Sequence, residues 1–326
     1  MGDPAGCGRQ ITARAWHERR VERLAPFYVI GDPRLYAPLA EVETIDDPSD
    51  APQVFTRALP VLPLMIDGYE AIKSGLQGTA GAPETIASIK IATNACLTGQ
   101  AAAMVTNPIS KAVLYRAGFT HPGHTEFIAN LCARAHEDEI SPVMMLVGGG
   151  LRVALATIHV PLLSVAEHLT ADHLRSIATI THHAMIDRFG IAEPRLAFSG
   201  LNPHAGEDGT IGTEERDIIN PTAQDLRAQG INISDARPGD TVFHEALSGA
   251  YDAVIAMTHD QGLIPVKTLD MWGGVNTTLG LPIIRTSPDH GTAYDAAANQ
   301  TCRPDSLIAA LKLAQAMSDL RARTHD

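Results

Sequence analysis

Short apolar runs rich in β-branched residues alternate with stretches of helical period along most of the 326-residue chain, a pattern that points to an α/β protein with a mostly parallel sheet. The strand candidates are Phe27–Ile30, Ala102–Val105, Val143–Val147, Leu151–Ile158, Arg195–Ser199, Asp252–Met257 and Pro282–Thr286. Several are apolar on both faces, as strands covered by helices on each side must be. A helix is predicted from Pro83 to about Thr98, with Pro in the first turn and Gly99 as its stop. Two more are predicted over roughly Ala171–Phe189 and after Pro304, the last with Leu307, Ala310, Leu311, Ala314 and Met317 on one stripe. The chain is about twice a usual domain length, which implies two domains or one large α/β unit. The loop Gly2-Asp3-Pro4-Ala5-Gly6-Cys7-Gly8 reads as a strand-to-helix turn with only one residue before it, so the expectation is either that translation starts upstream or that an edge or central strand has been lost.

Charge narrows the partners. With 37 acidic against 25 basic side chains and a net charge of −12, the chain lacks the basic surface that nucleic acids or acidic lipids require. An anionic substrate would be held by a few local cations. No run approaches the ~18 apolar residues of a membrane span, the first residues carry no secretory pattern, and the four scattered cysteines form no C-x-x-C pair. A cytoplasmic location with free thiols is expected.

Three histidines share one context. Leu151–Ile158 runs into His159, Arg195–Ser199 leads to Asn202-Pro203-His204, and Asp252–Thr258 leads to His259. Carboxyl ends of parallel strands lie along one edge of a sheet, where ligands bind, so these residues can converge. Three neutral imidazoles suit a divalent ion with open positions, although a histidine taken alone is more often a hydrogen-bonded loop or core residue than a ligand. Gly123-His124-Thr125-Glu126 precedes an apolar-periodic segment and marks a helix start able to cap itself or face an anion. Lys267, Asn276 and Arg285 fall in one stretch after the third histidine, Arg285 inside an otherwise apolar strand. Gly6-Cys7-Gly8-Arg9-Gln10-Ile11 begins like a dinucleotide fingerprint but lacks its third glycine, and no P-loop or G-x-S-x-G elbow is present.

Taken in order, M-G-D-P-A-G, T-N-P-I-S-K, G-H-T-E-F, G-G-G-L-R-V-A-L-A-T-I-H-V-P-L, N-P-H-A-G-E, H-D-Q-G-L-I-P-V-K, G-V-N-T-T-L-G-L-P-I-I-R-T-S and D-H-G-T-A resemble the 4-hydroxythreonine-4-phosphate dehydrogenase family of vitamin B6 biosynthesis, from residue 1 to about 310. The resemblance implies two α/β/α domains similar to the isocitrate and isopropylmalate dehydrogenase fold, with the active site in the cleft between them. That fold binds NAD or NADP without the usual fingerprint. In this chain 1-135 plus 291-326 would form the first domain and 136-290 the second, carrying the metal histidines.

The resemblance further implies a divalent metal (Zn, Mg or Co) on His159, His204 and His259, and a phosphorylated substrate on His124, Thr125, Lys267, Asn276 and Arg285. Asp240 would be a further active-site residue, and Lys267 would either move a proton or hold substrate charge. Members are homodimers with the site at the subunit interface, so these residues need not come from one chain. The implied reaction is oxidation of 4-phosphooxy-L-threonine with decarboxylation to 3-amino-2-oxopropyl phosphate. The alternatives are a related dehydrogenase for a four-carbon sugar-acid phosphate or a dihydrodiol carboxylate, or a non-redox paralogue that binds a metal and a small anion. The chain departs from the family at Cys7, Arg9 and Gln10, where G-I-G-P-E is usual.

Overall fold

A computed structural model describes residues 1–136 and 139–325. In chain order its strands are β1 (Val29–Gly31), β2 (Val42–Thr44), β3 (Leu59–Pro63), β4 (Met104–Val105), β5 (Val143–Gly148), β6 (Leu151–Leu155), β7 (Leu196–Ser199), β8 (Ile233–Arg237), β9 (Ala253–Ala256), β10 (Val275–Leu279) and β11 (Arg285–Pro288). The chain divides into two compact units, Met1–Ile140 with Leu281–Gln315, and Ser141–Gly280 with Ala316–Asp326. Both are α/β. All four cysteines are free.

In the first unit β1, β3 and β2 form a parallel sheet, and β4 pairs in parallel with β11, Arg285 opposite Met104. The Ala82–Leu97 helix starts one residue before its predicted Pro83, and its Ile89 joins Phe119, Phe127, Ile128 and Ile283 in a core. The predicted last strand lies a little later than expected, because Pro282 supplies no N–H to a ladder and pairing begins only at Arg285.

The second unit carries strands in the order β10-β5-β6-β9-β7-β8. From β6 through β9 and β7 to β8 the pairing is parallel, while β5 runs antiparallel to both β6 and β10. Five of the six strands therefore run the same way, as a mostly parallel sheet requires, and only β5 is reversed. The reversal comes at Gly148-Gly149-Gly150, where two left-handed residues (Gly149 φ 58°, Gly150 φ 86°) close a tight hairpin instead of feeding a crossover helix.

Alternate residues of the central strands enter different cores. Ala154, Phe198 and Ile255 pack on one face with Leu174, Ile177 and Met185 of the Ala171–Asp187 helix. Val153, Ala197 and Val254 pack on the other with Leu263 and Val266 of the His259–Leu269 helix. With both faces buried, apolar residues at every position are what the strands require. The result is a stiff platform whose carboxyl edge is left to carry polar groups. No helix among the described residues is long and apolar enough to cross a membrane.

Candidate active site

The parallel neighbours β6, β9 and β7 deliver His159, His259 and His204 from the same ends, as their position after strands predicts. Two of the three meet. The rings of His159 and His259 lie 5.8 Å apart, centre to centre. Imidazoles that each bond one ion at about 2.1 Å reach roughly this separation, so the pair fits a shared divalent cation. His259 Nδ1 lies 2.8 Å from Asp260 Oδ1, and where the carboxylate accepts the Nδ1 proton, Nε2 is left with its lone pair outward, as a metal ligand requires. Among the described residues no three His, Cys, Asp or Glu side chains gather for a metal, so His204 does not complete the pair within one chain.

The ends of the strands are tied together around His259. Thr258 caps the His259–Leu269 helix by accepting from the Gln261 amide, 3.3 Å. The Gln261 side chain accepts from Met257 N and donates to Gly200 O, both at 2.7 Å, joining the loops that follow β9 and β7. Thr157 Oγ1 donates to Met257 O, 2.7 Å, joining β6 to β9. Sequence reasoning missed Gln261 and Thr157. The only signal for the first was its place in the H-D-Q-G turn. The Pro238-Gly239-Asp240 turn packs against Gln261, which sets the exposed Asp240 at the same edge.

His204 occupies a rare conformation. Five successive residues, His204, Ala205, Gly206, Glu207 and Asp208, have φ between 42° and 78°, one left-handed turn in which only Gly206 is free of a Cβ penalty. Each of the other four costs on the order of 1–2 kcal/mol. Such strain persists only where the surroundings over-determine it. Here the Glu215 carboxylate, 2% exposed, accepts from Asn202 N at 2.7 Å and from Asn202 Nδ2 at 2.9 Å, directly beneath the turn.

Lys267 and Asn276 take other positions in this unit. Lys267 stands in the last turn of the helix that begins with His259, about 12 Å further along its axis, and Asn276 faces Leu146 across the β10–β5 ladder. One helix thus offers an imidazole at its first turn and a lysine at its last.

In the first unit His124 opens the His124–His136 helix, followed by Thr125. Arg285, 4% exposed, donates to Thr106 Oγ1 at 2.8 Å. Burial lowers its pKa to about 10, against the opposing pull of Glu126, and it remains charged at neutral pH. Burial and the Arg285 charge hold the His124 ring well below its ordinary pKa of 6.5, so it is neutral. Lys111, overlooked in the T-N-P-I-S-K motif, packs its Nζ against Gly123 and adds a second cation beside His124.

A stability consequence follows from the neutral ring. Once unfolded, His124 takes up a proton below about pH 6.5, whereas folded it does not until far lower pH, so stability is full above that value and declines as pH falls. The melting temperature should therefore drop between pH 7 and pH 5, and less steeply in a His124→Asn variant. Parallel curves for the two proteins would show that His124 is not the group responsible.

The sequence profile of pyridoxal phosphate biosynthetic protein PdxA matches residues 22–314. A 4-hydroxythreonine-4-phosphate dehydrogenase of Methylorubrum populi is 49% identical over 328 residues, covering 98% of this chain and 93% of its own. One from Maricaulis maris is 48% identical, covering 99% and 97%. The crystal structure of 4-hydroxythreonine-4-phosphate dehydrogenase from Klebsiella pneumoniae superposes with a TM-score of 0.86 at 33% identity, covering 98% of both chains.

Proposed function

Because the chain belongs to the PdxA family of pyridoxal phosphate biosynthetic proteins, oxidoreductases of the 4-hydroxythreonine-4-phosphate dehydrogenase kind, we propose that it oxidises 4-phosphooxy-L-threonine with NAD⁺ or NADP⁺. The C3 alcohol loses a hydride to the nicotinamide and a proton to a base. The resulting β-keto acid releases CO₂, leaving 3-amino-2-oxopropyl phosphate.

The observation that carries this reading is the His159–His259 pair at the carboxyl edge of buried parallel strands. These two imidazoles would hold a divalent cation, Zn, Mg or Co. The partner subunit's His204 would complete the set in a homodimer. A bound cation supplies Lewis acidity, which favours ionisation of the substrate hydroxyl and later stabilises negative charge during loss of CO₂. The first-turn and last-turn placement of His259 and Lys267 supports the shared site, since two copies can present opposite ends of this helix to one substrate. Leu162, Leu163, Ile264, Met271 and Trp272, all exposed, flank these residues in sequence and offer apolar surface for a second copy.

His124, Thr125, Asn276 and Arg285 would orient the phosphorylated substrate, and buried Arg285 gives that set a fixed positive charge. Lys267 would move the proton at the reacting carbon or oxygen, and Asp240 would be a further catalytic residue of the site. A cytoplasmic location would accord with this chemistry, which draws on nicotinamide nucleotides.

The direct test follows NADH or NADPH formation at 340 nm with metal-reconstituted protein, supplying 4-phosphooxy-L-threonine or a four-carbon sugar-acid phosphate, beside a metal-free control. Turnover of the first substrate only when metal is present is expected. Turnover of the sugar-acid phosphate alone would replace the substrate while keeping the chemistry, and silence with both would remove the redox assignment.

A further inference from the structure

We propose that Glu215 is a positioning residue that holds His204 in its ligating conformation by bracing the left-handed turn from below. The inference rests on the reading of His204 as a metal ligand. Three observations carry it.

First, the carboxylate is almost wholly buried and spends both oxygens on Asn202, two residues before the histidine, while Glu214 Oε2 accepts from the same Asn202 amide at 2.7 Å. Asn202 is thereby fixed at both its main-chain and side-chain nitrogens, and the chain leaves it in one direction. Second, the brace touches the turn itself. A Cβ on Gly206 would lie 2.7 Å from Glu215 Oε2, and one on Gly212 only 2.4 Å from Asn202 Nδ2, so both glycines mark where turn and brace interlock. Third, one flank of the turn is open. Beside Ala205 and Asp208 lies a polar cavity of about 340 Å³, lined also by Arg216, Arg227 and Asp235, into which an unbraced turn could relax.

The Glu215 carboxylate reaches the metal only through Asn202 and the backbone, so its effect should be on the affinity of the site and not on the identity of its ligands. Titration of the full-length protein with Co²⁺, followed by its visible d–d bands, reads that affinity without turnover. Glu215→Ala and the milder Glu215→Gln, which turns one acceptor into a donor facing Asn202, are compared with wild type and His204→Ala well below their melting temperatures. Hydrogen exchange of residues 203–211 in the metal-free proteins reads the turn directly.

Loss of about 10–100-fold in Co²⁺ affinity in both Glu215 variants, with faster exchange across 203–211, is the expected result. Wild-type affinity and spectrum in folded Glu215 variants, alongside weakened binding in His204→Ala, would overturn the brace while leaving the ligand intact. Unchanged binding in His204→Ala would instead overturn the ligand reading, and exchange would then decide whether Glu215 holds the turn. If Glu215→Ala does not fold, Glu215→Gln alone carries both readouts. A lowered melting temperature with unchanged affinity would reduce Glu215 to a structural role and sink the proposal.

Discussion

A His259→Ala variant should retain no more than one divalent ion in a hundred and turn substrate over at least ~10³-fold more slowly, because the loss removes half of the imidazole pair that stands where β6 and β9 end. The expected origin is local. His259 caps nothing, and the helix it opens is held by Thr258 and Gln261, whose hydrogen bonds do not involve its ring. The fold should therefore survive, with a melting temperature in metal-free buffer close to wild type. Elemental analysis after dialysis, with steady-state rates at saturating metal, measures both effects. A variant that kept its metal and its rate would remove the pair from the mechanism. Asp260→Asn makes a graded comparison, since an amide can still accept from Nδ1 but carries no charge, and its loss should be nearer 10–100-fold.

The second large effect concerns substrate. Arg285→Met keeps an unbranched apolar stem but removes the buried guanidinium and its charge. Hydrogen bonds to charged groups are worth about 1.5–3 kcal/mol, so KM for a phosphorylated substrate should rise by roughly 10–100-fold, more than kcat falls. Stability should move the other way or stay level. The guanidinium is held at a pKa of about 10 by burial, the mark of a charge the fold carries at a cost, and methionine relieves that cost while giving up the guanidinium's hydrogen bonds, the one to Thr106 among them. Kinetics beside thermal melting separates the two. A fall in melting temperature with unchanged KM would make Arg285 a structural cation. The variant should also let His124 ionise more readily, since the charge that opposes its protonation is gone.

How much of this was legible in the sequence depends on how each residue is buried. β5, β6, β7 and β9 could be read because burial on both faces forces continuous apolar runs. β8, with Asp235 and Arg237 exposed at the end of the strand order, and β10, with Asn276, Thr277 and Thr278, have no such run and escaped. The three histidines were legible as residues that follow strands. That two would meet and one would stand on a left-handed turn was not, because periodicity carries no information about φ. The glycines at 206, 209 and 212 were the only local hint. Glu215 was invisible for the opposite reason. A glutamate beside another glutamate reads as solvated surface, and only the tertiary structure shows it buried against Asn202. Lys111 lay in a motif already recognised, but its approach to Gly123 depends on the packing of two helix starts.

The ladder between β6 and β9 has a kinetic side. Val153 pairs with Val254, a hundred residues on, whereas β5 and β6 meet across a three-glycine hairpin. The hairpin can close in microseconds, but the longer pairing must wait until the intervening strands and helices have collapsed. His159 and His259 are thus strangers for most of the chain's folding. An ion that bridges them can recognise only the finished sheet, so it would slow the protein's coming apart without hastening its assembly.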